Sequence, residues 1–256
     1  MNGEEATDRQ VFRITGADRL KFLQGLVTND VNRLKDGLIY AAILTPQGKY
    51  LADFFLASDD NSILLDCAAE QAKGLAQRLS LYKLRADVTI EQTGLHVLRG
   101  VGAPPPGALS DPRHPALGWR LYSLTSGAGP TIDWDAIRVA HCIPETGIEL
   151  IPNDTFILEV GFERLNGIDF RKGCYVGQEV SARMKHKTEL RKGLAVVDLQ
   201  GTAPVGTEIT ADGKLVGQIY TQSGGRGIAY LRFDRVTGVM RAGDAVVEYD
   251  GGAKGS

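Results

Sequence analysis

The chain has 256 residues and a formal net charge of −2, from 29 Lys and Arg against 31 Asp and Glu. A chain of this length can bury a sizeable core in one or two domains. Hydrophobic residues make up 43% and charged residues 23%, as in ordinary globular proteins. A net charge near zero gives no general attraction to nucleic acid or to an anionic membrane. These values predict a soluble protein with neither nucleic acid nor membrane among its partners.

The cysteines and the N-terminus bound the chemistry and the compartment. Cys67, Cys142 and Cys174 lie far apart, with no CxxC and no Cys/His pair at metal-ligand spacing. This predicts no disulfide framework and no permanently bound metal. Residues 1–5 are acidic and contain no apolar core of a signal sequence, and no apolar run approaches the roughly 18 residues of a membrane span. We therefore expect neither a secretory signal nor a mitochondrial presequence, and a cytoplasmic location.

The first part of the chain alternates strand and helix patterns. Residues 15–18 predict a capping box, and apolar residues repeating every three or four positions predict one helix from Leu20 to Leu34. The order of elements predicts an α+β fold. The further predicted elements are strands at 37–45, 50–57 and 62–66, with a hairpin turn at 46–49, a helix at 68–81, and strands at 86–91 and 94–99.

The second part changes to strands alone near its end. Residues 101–115 predict a surface loop, 119–124 a strand, and 134–142 and 153–160 two short helices. After Lys192, short strands separated by Gly-rich turns predict a small β-barrel. These strands are expected at 194–199, 208–210, 215–222, 228–233 and 245–249.

A cationic segment precedes the predicted barrel. Residues 171–192 carry seven Lys and Arg against two Glu. One interpretation is a solvated helix face, and the other is a dock for an anionic ligand tail or an acidic partner. The cations are Arg171, Lys172, Arg183, Lys185, Lys187, Arg191 and Lys192.

Cys174 lies at the start of this segment. An isolated cysteine is commonly a small buried hydrophobe, but Arg171, Lys172 and a helix start near Gly177 would all favour a thiolate. His186 lies about three turns downstream, too far for a base, and no set of four ligands for a resident cluster is recognisable. The predicted role is transient: a thiolate that contacts a cluster shared with a partner, or that exchanges with a persulfide or mixed disulfide.

The same segment carries a family resemblance. Residues 172–179, K-G-C-Y-V-G-Q-E, resemble the K-G-C-aromatic-x-G-Q-E signature of the YgfZ-type folate-binding proteins, which are relatives of the glycine-cleavage T-protein. Residues 22–31 are similar to the F-L-Q-G-x-x-T/S-x-D segment of that family, and the resemblance extends over about residues 11–193. It implies three subdomains around a central hole that receives tetrahydrofolate. These are a discontinuous folate-binding domain (1–50 with 125–190), a ferredoxin-like insertion (51–124) and the C-terminal barrel (191–256).

The resemblance also implies ligand residues. Residues 153–161 are similar to the R-D-x-L-R-L-E-A-G segment of the T-protein, whose glutamate holds the pterin ring, so Glu159 is implied for that task. A carboxylate suits it because it can accept two parallel N–H bonds. Arg183, Lys185 or Lys187 are implied for the glutamate tail. The other implied folate-binding residues are Asp53, Asn29, Asp30, Tyr175 and Gln178.

The function that follows is an accessory role rather than catalysis. The resemblance implies a tetrahydrofolate-binding factor for assembly or repair of 4Fe–4S enzymes, with Cys174 and Lys172 at its reactive site. A-type iron–sulfur carriers and 4Fe–4S client enzymes are the implied partners, and any cluster is bound transiently. The alternative is a folate-dependent aminomethyl- or methyltransferase of the T-protein type. Where the T-protein has G-G-x-x-D-D, residues 48–53 retain one acid, Asp53. A scaffold without a ligand is the third interpretation.

Overall fold

The computed structural model describes residues 3–186 and 190–251. The chain divides into two compact units. Unit 1 comprises Met1–Ile132 and Leu165–Gln178, and unit 2 comprises Asp133–Arg164 and Glu179–Ser256. No helix within the described ranges combines the length and the apolar character needed to cross a lipid bilayer.

The regular elements of the described ranges are numbered in chain order. The helices are α1 (Arg19–Gln24), α2 (Ala69–Lys83), α3 (Trp134–His141) and α4 (Gln178–Lys185), with 3₁₀ turns at Val31–Asp36 and Pro115–Leu117. The strands are β1 (Glu4–Glu5), β2 (Arg9–Thr15), β3 (Ile39–Leu44), β4 (Tyr50–Asp59), β5 (Ser62–Ala68), β6 (Thr89–Gln92), β7 (His96–Gly100), β8 (Leu109–Ser110), β9 (Trp119–Ser123), β10 (Lys192–Gln200), β11 (Glu208–Ala211), β12 (Lys214–Ser223), β13 (Arg226–Arg232), β14 (Met240–Ala242) and β15 (Ala245–Glu248).

Unit 1 is built on two antiparallel sheets. The large sheet has the order β3-β4-β5-β2-β6 and the small sheet the order β1-β7-β9-β8. One face of the large sheet packs against α1 and α2 over an apolar core that includes Phe54, Leu56 and Leu75. Strands β3 and β5 are buried along their whole length because both faces of the sheet are covered.

A layer of charged and aromatic side chains joins the two sheets of unit 1. Asp66 of β5 accepts hydrogen bonds from Arg9 Nε at 2.6 Å and from Arg120 Nη1 of β9 at 3.0 Å. Arg120 also donates to Asp111, and its guanidinium carbon lies 3.9 Å from the centroid of the Phe55 ring. Each buried charge therefore has a partner of opposite sign, which offsets the cost of removing it from water.

The first predicted helix is interrupted, so its predicted extent is wrong. Helix α1 ends at Gln24, and the chain resumes as a 3₁₀ turn at Val31–Asp36. The capping box is also wrong, because the N-cap residue Asp18 makes no side-chain capping bond. The interruption occurs where Asn29 Oδ1 accepts from the N–H of Asp30, since such local side-chain bonds compete with helical ones.

Unit 2 contains helix α3, a turn-rich segment and the barrel. The helix predicted at 153–160 is wrong, because residues 152–166 run largely as turns. Asn153 adopts a left-handed φ of 64°. The carbonyl of Glu159 accepts from the N–H of Leu194 at the start of the barrel, which satisfies it outside any helix.

The predicted C-terminal barrel is confirmed. It closes in the order β10-β13-β12-β11-β14-β15, with alternate residues of each strand filling its interior. Strand β14 was not predicted, since its three residues are too short to show a period.

A buried arginine connects α3 to the barrel. Arg138 Nη1 donates to Glu149 Oε2 at 3.1 Å, and Arg138 Nη2 donates to Thr221 Oγ1 of β12 at 2.9 Å. Thr221 Oγ1 donates in turn to Glu149 Oε1 at 2.6 Å. Burial lowers the pKa of Arg138, but the charges of Glu149, Glu145 and Asp135 outweigh it and raise the pKa.

The large sheet of unit 1 includes residues on both sides of position 50, where one predicted domain boundary falls. The three-part division predicted from the resemblance therefore stays a prediction beside the two units observed.

Candidate functional site

In unit 1, the turn that follows α1 is joined to the segment leading into the cysteine motif. Thr28 Oγ1 donates to the carbonyl of Gly167 at 2.6 Å and accepts from the N–H of Ala42 of β3 at 2.9 Å. Asn29 Nδ2 donates to the carbonyl of Asn166 at 2.7 Å. Because these contacts connect three separate chain segments, the turn is fixed by long-range bonds.

Lys172 completes this connection. Its Nζ donates to the carbonyls of Val27 at 2.5 Å and Asn29 at 2.8 Å, and the residue is 7% exposed. Burial lowers the pKa of Lys172 to about 8, even though the charges of Asp30 and Asp169 oppose that shift. The amine is therefore engaged with backbone oxygens of the turn.

Cys174 is exposed between two buried side chains. Lys172 and Tyr175 are both buried, and the Lys172 Nζ lies 5.2 Å from the centroid of the Tyr175 ring. Val176 packs against the apolar core of unit 1. The motif thus holds its backbone against the protein on both sides of Cys174 and leaves that thiol accessible.

Gly177 ends the motif in close contact with the β3–β4 hairpin. Its φ is +84°, and a Cβ there would lie 2.5 Å from the carbonyl oxygen of Thr45. Only glycine fits both the backbone conformation and the space. Gln178 then begins α4, which confirms the helix start predicted near Gly177.

The other two thiols have different surroundings. Cys67 and Cys142 are buried, and all three cysteines lie in the described part of the chain. Desolvation raises the pKa of both Cys67 and Cys142 to about 12. Cys174 is accordingly the thiol available to reagents or partners.

Asn29 and Asp30, predicted as folate contacts, have side chains engaged with the protein itself. Asn29 Nδ2 also donates to the carbonyl of Tyr40 at 2.9 Å. Asp30 Oδ1 accepts from Gln24 Nε2 and from the N–H of Asn32, both at 3.0 Å. Burial raises the pKa of Asp30, but these hydrogen bonds outweigh it and lower the pKa. Both residues organise the turn that Lys172 contacts.

Asp53 lies on β4, on the face of the large sheet that carries the polar layer. A register shift in the β3–β4 pairing lets Tyr50 and Asp53 share that face. Asp53 Oδ1 accepts from the Tyr50 hydroxyl at 2.6 Å, and Oδ2 accepts from the Tyr40 hydroxyl at 3.1 Å. This carboxylate is therefore held in one orientation by two phenols.

Glu159 forms the second cluster of predicted site residues, in unit 2. Its Oε2 accepts from the Tyr230 hydroxyl of β13 at 2.6 Å, and its Oε1 lies 3.7 Å from Lys192 Nζ. Burial raises the pKa of the Tyr230 hydroxyl, and the neighbouring Glu159 carboxylate raises that pKa further. The phenol therefore remains a hydrogen-bond donor. Gly193 allows the close approach, because a Cβ there would lie 2.7 Å from the Glu159 carbonyl oxygen.

The residues predicted for the glutamate tail lie on α4. Arg183 and Lys185 are exposed, and Lys185 Nζ forms an ion pair with Glu163. Lys187 lies outside the described residues. In unit 1 the structure brings Cys174, Lys172 and Tyr175 together, beside the turn that holds Asn29 and Asp30. The binding roles of all these residues stay predictions.

Sequence reasoning missed Tyr230 and Thr28, which contact Glu159 and Gly167 across long sequence separations. No local spacing signals such pairs. Among the described residues, no three His, Cys, Asp or Glu side chains come together in a group that could hold a metal ion.

The fold is that of the glycine-cleavage T-protein, as predicted. The crystal structure of glycine cleavage system aminomethyltransferase T from Bartonella henselae matches with a TM-score of 0.70, over 95% of this chain and 82% of that one, at 12% identity. Residues 191–250 match the model of the CAF17 C-terminal beta-barrel domain.

The sequence relatives identify the family. The chain is 31% identical to the proteins named "Iron-sulfur cluster assembly factor IBA57, mitochondrial" of Mus musculus and of Homo sapiens. Each match covers 91% of this chain and 78% of the relative. The IBA57 homolog of Neurospora crassa is 33% identical, over 81% of this chain and 55% of its own length. The chain belongs to the IBA57 family of iron–sulfur cluster assembly factors.

These names correct one prediction. The relatives are named as mitochondrial proteins, and the cytoplasmic location predicted from composition and the N-terminus is therefore wrong. Composition reports on solubility and charge, which a mitochondrial protein can share with a cytoplasmic one.

Proposed function

We propose that this protein assists the assembly or repair of 4Fe–4S enzymes, and that Cys174 is its point of contact with the cluster. The cluster is cargo, held mainly by a partner such as an A-type carrier or the client enzyme. The Cys174 thiol would release its proton to solvent, and the thiolate would donate an electron pair to one iron. Membership of the IBA57 family supports the iron–sulfur role.

The observation that carries this proposal is the exposure of Cys174 on an otherwise anchored loop. A cluster ligand must be accessible, while its backbone must be held so that little ordering is needed on binding. Cys174 meets both requirements, whereas Cys67 and Cys142 are buried.

A complementation experiment tests the thiol role. In a strain that lacks its own member of this family, wild type is expected to restore the activity of a 4Fe–4S enzyme, and Cys174→Ser is expected to fail. Cys67→Ala, which removes a buried thiol of the same unit, serves as the control, with soluble protein measured for each variant. If Cys174→Ser restores the enzyme as well as wild type does, the thiol role is refuted.

We also propose that the protein binds tetrahydrofolate, with Glu159 at the pterin ring. The carboxylate fits the task, because Tyr230 occupies one lone-pair site of Oε2 and a carboxylate offers about four. Two parallel N–H bonds from a 2-amino-pyrimidinone edge can therefore still be accepted. When bound, the pteridine would supply one-carbon or redox chemistry, while the protein supplies orientation.

Calorimetry tests the folate proposal. Wild type is expected to bind tetrahydrofolate, and Glu159→Ala to weaken binding at least tenfold, since it removes a charge-assisted pair of acceptors. Glu208→Ala, on an exposed position of β11, is the matched control. Absence of binding by wild type at high micromolar concentration would contradict the proposal and favour a scaffold without a ligand.

A second candidate, a folate-dependent aminomethyl- or methyltransferase, depends on Asp53. Asp53 is the acid that this chain retains from the T-protein pattern, and two tyrosine hydroxyls hold its buried carboxylate in one orientation. Turnover of an aminomethyl-lipoyl carrier or an N-methylated amine with tetrahydrofolate, lost in Asp53→Asn, would favour this candidate. Without turnover in wild type it fails.

A further inference from the structure

The two cations that precede Cys174 have different surroundings. Arg171 is exposed, whereas Lys172 is buried, although their adjacent positions suggest the same effect on the thiol. The Lys172 amine donates hydrogen bonds to the backbone carbonyls of Val27 and Asn29 in the turn. The direction of those bonds suggests that Lys172 acts on the backbone of the motif.

The energetics support a specific role for the buried amine. Removing an ammonium from water is unfavourable, and a lysine normally keeps its head in solvent. Here the cost is partly offset by two charge-assisted bonds, by the nearby carboxylates of Asp30 and Asp169, and by the face of the Tyr175 ring. An aliphatic side chain would fill the space but leave both carbonyls without this donor.

The anchors lie close to the thiol along the chain. Lys172 is fixed two residues before Cys174 and Tyr175 one residue after it, and the exposed pair Gly173 and Cys174 lies between them. A residue spans at most about 3.3–3.6 Å, so fixing both ends leaves Cys174 little freedom. If the Lys172 anchor were released, Gly173 would let the loop sample many conformations.

We propose that Lys172 is a positioning residue for Cys174: its amine clamps the motif to the turn at residues 27–29 and so fixes where the thiol is presented. This deepens the proposed function and rests on it for the importance of Cys174. Arg171, three positions before Cys174 in the sequence, is the exposed cation of the pair.

Hydrogen exchange on the ligand-free protein tests the clamp directly. In Lys172→Met we expect amides of residues 170–177 to exchange at least tenfold faster than in wild type, while amides of β4 and β5 stay within twofold. Arg171→Gln removes the neighbouring charge, and Lys73→Met removes an exposed lysine of α2; both are expected to leave exchange within twofold. The clamp is refuted if Lys172→Met also stays within twofold, or if Arg171→Gln loosens the motif as much.

A conservative variant separates positioning from a general loss of stability. Lys172→Arg keeps the charge and can donate to both carbonyls, so it should retain slow exchange and restore enzyme activity better than Lys172→Met. Lys172→Arg also keeps the clamp testable if Lys172→Met does not fold. Rapid exchange in folded Lys172→Arg, equal to that of Lys172→Met, would overturn the clamp.

The two proposals fail in different ways. If Cys174→Ser supports the client enzyme fully while Lys172→Met loosens the motif, the thiol role is wrong and the clamp stands. If Cys174→Ser is inactive while Lys172→Met leaves exchange unchanged, the clamp is wrong and the thiol role stands.

Discussion

The pKa of a buried charged group in this protein depends on its partners, as Lys172 and Asp111 show. Burial lowers the pKa of Lys172 to about 8, since its hydrogen-bond partners are neutral carbonyls and the charges of Asp30 and Asp169 do not outweigh the desolvation. Burial raises the pKa of Asp111, but Arg113 and Arg120 outweigh it and hold the pKa at about 2. The sign of each shift therefore depends on whether direct partners carry opposite charge.

The Lys172 shift predicts a pH dependence of stability. Its pKa falls from an ordinary 10.5 to about 8 on folding, so between these values the unfolded chain binds more protons than the folded one. The contribution of Lys172 to the free energy of unfolding is lowest below pH 8 and rises between pH 8 and 10.5. The rise is about 1.4 kcal/mol for each pKa unit that separates the folded and unfolded states. Urea unfolding at pH 7.5 and 9.5 should show this rise in wild type and not in Lys172→Met. Parallel profiles for the two proteins would contradict it.

Tyr230 provides a second prediction at the scale of single residues. Tyr230→Phe removes the hydroxyl that donates to the buried Glu159 carboxylate, so we expect a loss of about 1–3 kcal/mol in the free energy of unfolding. Tyr220→Phe removes a hydroxyl that donates to an exposed glutamine side chain and should change stability by less than about 0.5 kcal/mol. Equal losses in both variants would show that the Glu159 bond adds no particular stability.

At the scale of elements, the β3–β4 hairpin supports the cysteine motif. The hairpin turn at residues 45–49 contacts Gly177, and the register shift in its pairing brings Tyr50 to Asp53. The same hairpin thus orients a predicted ligand contact and holds the end of the motif that begins with Lys172. A rigid strand pair is a suitable support for a loop that must present a thiol.

The two glycines of the motif give a matched test. Gly177→Ala would place a Cβ 2.5 Å from the Thr45 carbonyl at a φ of +84°, whereas nothing lies within 4 Å of a Cβ at Gly173. We expect Gly177→Ala to cost at least about 1–2 kcal/mol and Gly173→Ala to be nearly neutral, as measured by thermal unfolding. A stable Gly177→Ala variant would refute the close packing of motif and hairpin.

At the scale of the whole molecule, each unit has its own buried polar centre. In unit 1 the centre is the layer around Asp66 and Arg120 between the two sheets. In unit 2 it is Arg138, which bonds to Glu149 and to Thr221 of the barrel. Both centres join elements that are distant in sequence, so removing one partner would leave a buried charge uncompensated in either unit.

Arg138→Met tests the centre of unit 2. The variant leaves the Glu149 carboxylate buried without its main cation, and we expect a loss of about 3–5 kcal/mol. Hydrogen exchange should show the loss in β12 and α3. Arg226→Met, which removes an exposed arginine 3.9 Å from Asp198, should cost no more than about 1 kcal/mol. Similar stability of the two variants would contradict the role of Arg138.

The sequence predicted much of the fold because its signals there are local. Alternating runs and Gly-rich turns identified the β3–β4 hairpin and the barrel, the order of elements gave the α+β class, and the resemblance implied the T-protein fold. The helix predicted over residues 20–34 was wrong because its apolar period continues through the turn at Asn29 and Asp30, where the helix is interrupted. The composition gave no signal that would distinguish this chain from relatives that are named as mitochondrial.

The sequence by itself determined that Cys174 is the distinctive thiol, because its motif and neighbouring cations are contiguous. Only the tertiary structure decided what those neighbours contact: Lys172 reaches carbonyls at Val27 and Asn29, and Glu159 meets Tyr230. The physical reason is that a side chain's partner depends on which distant segments packing brings within about 3 Å, and local periodicity carries no information about that choice.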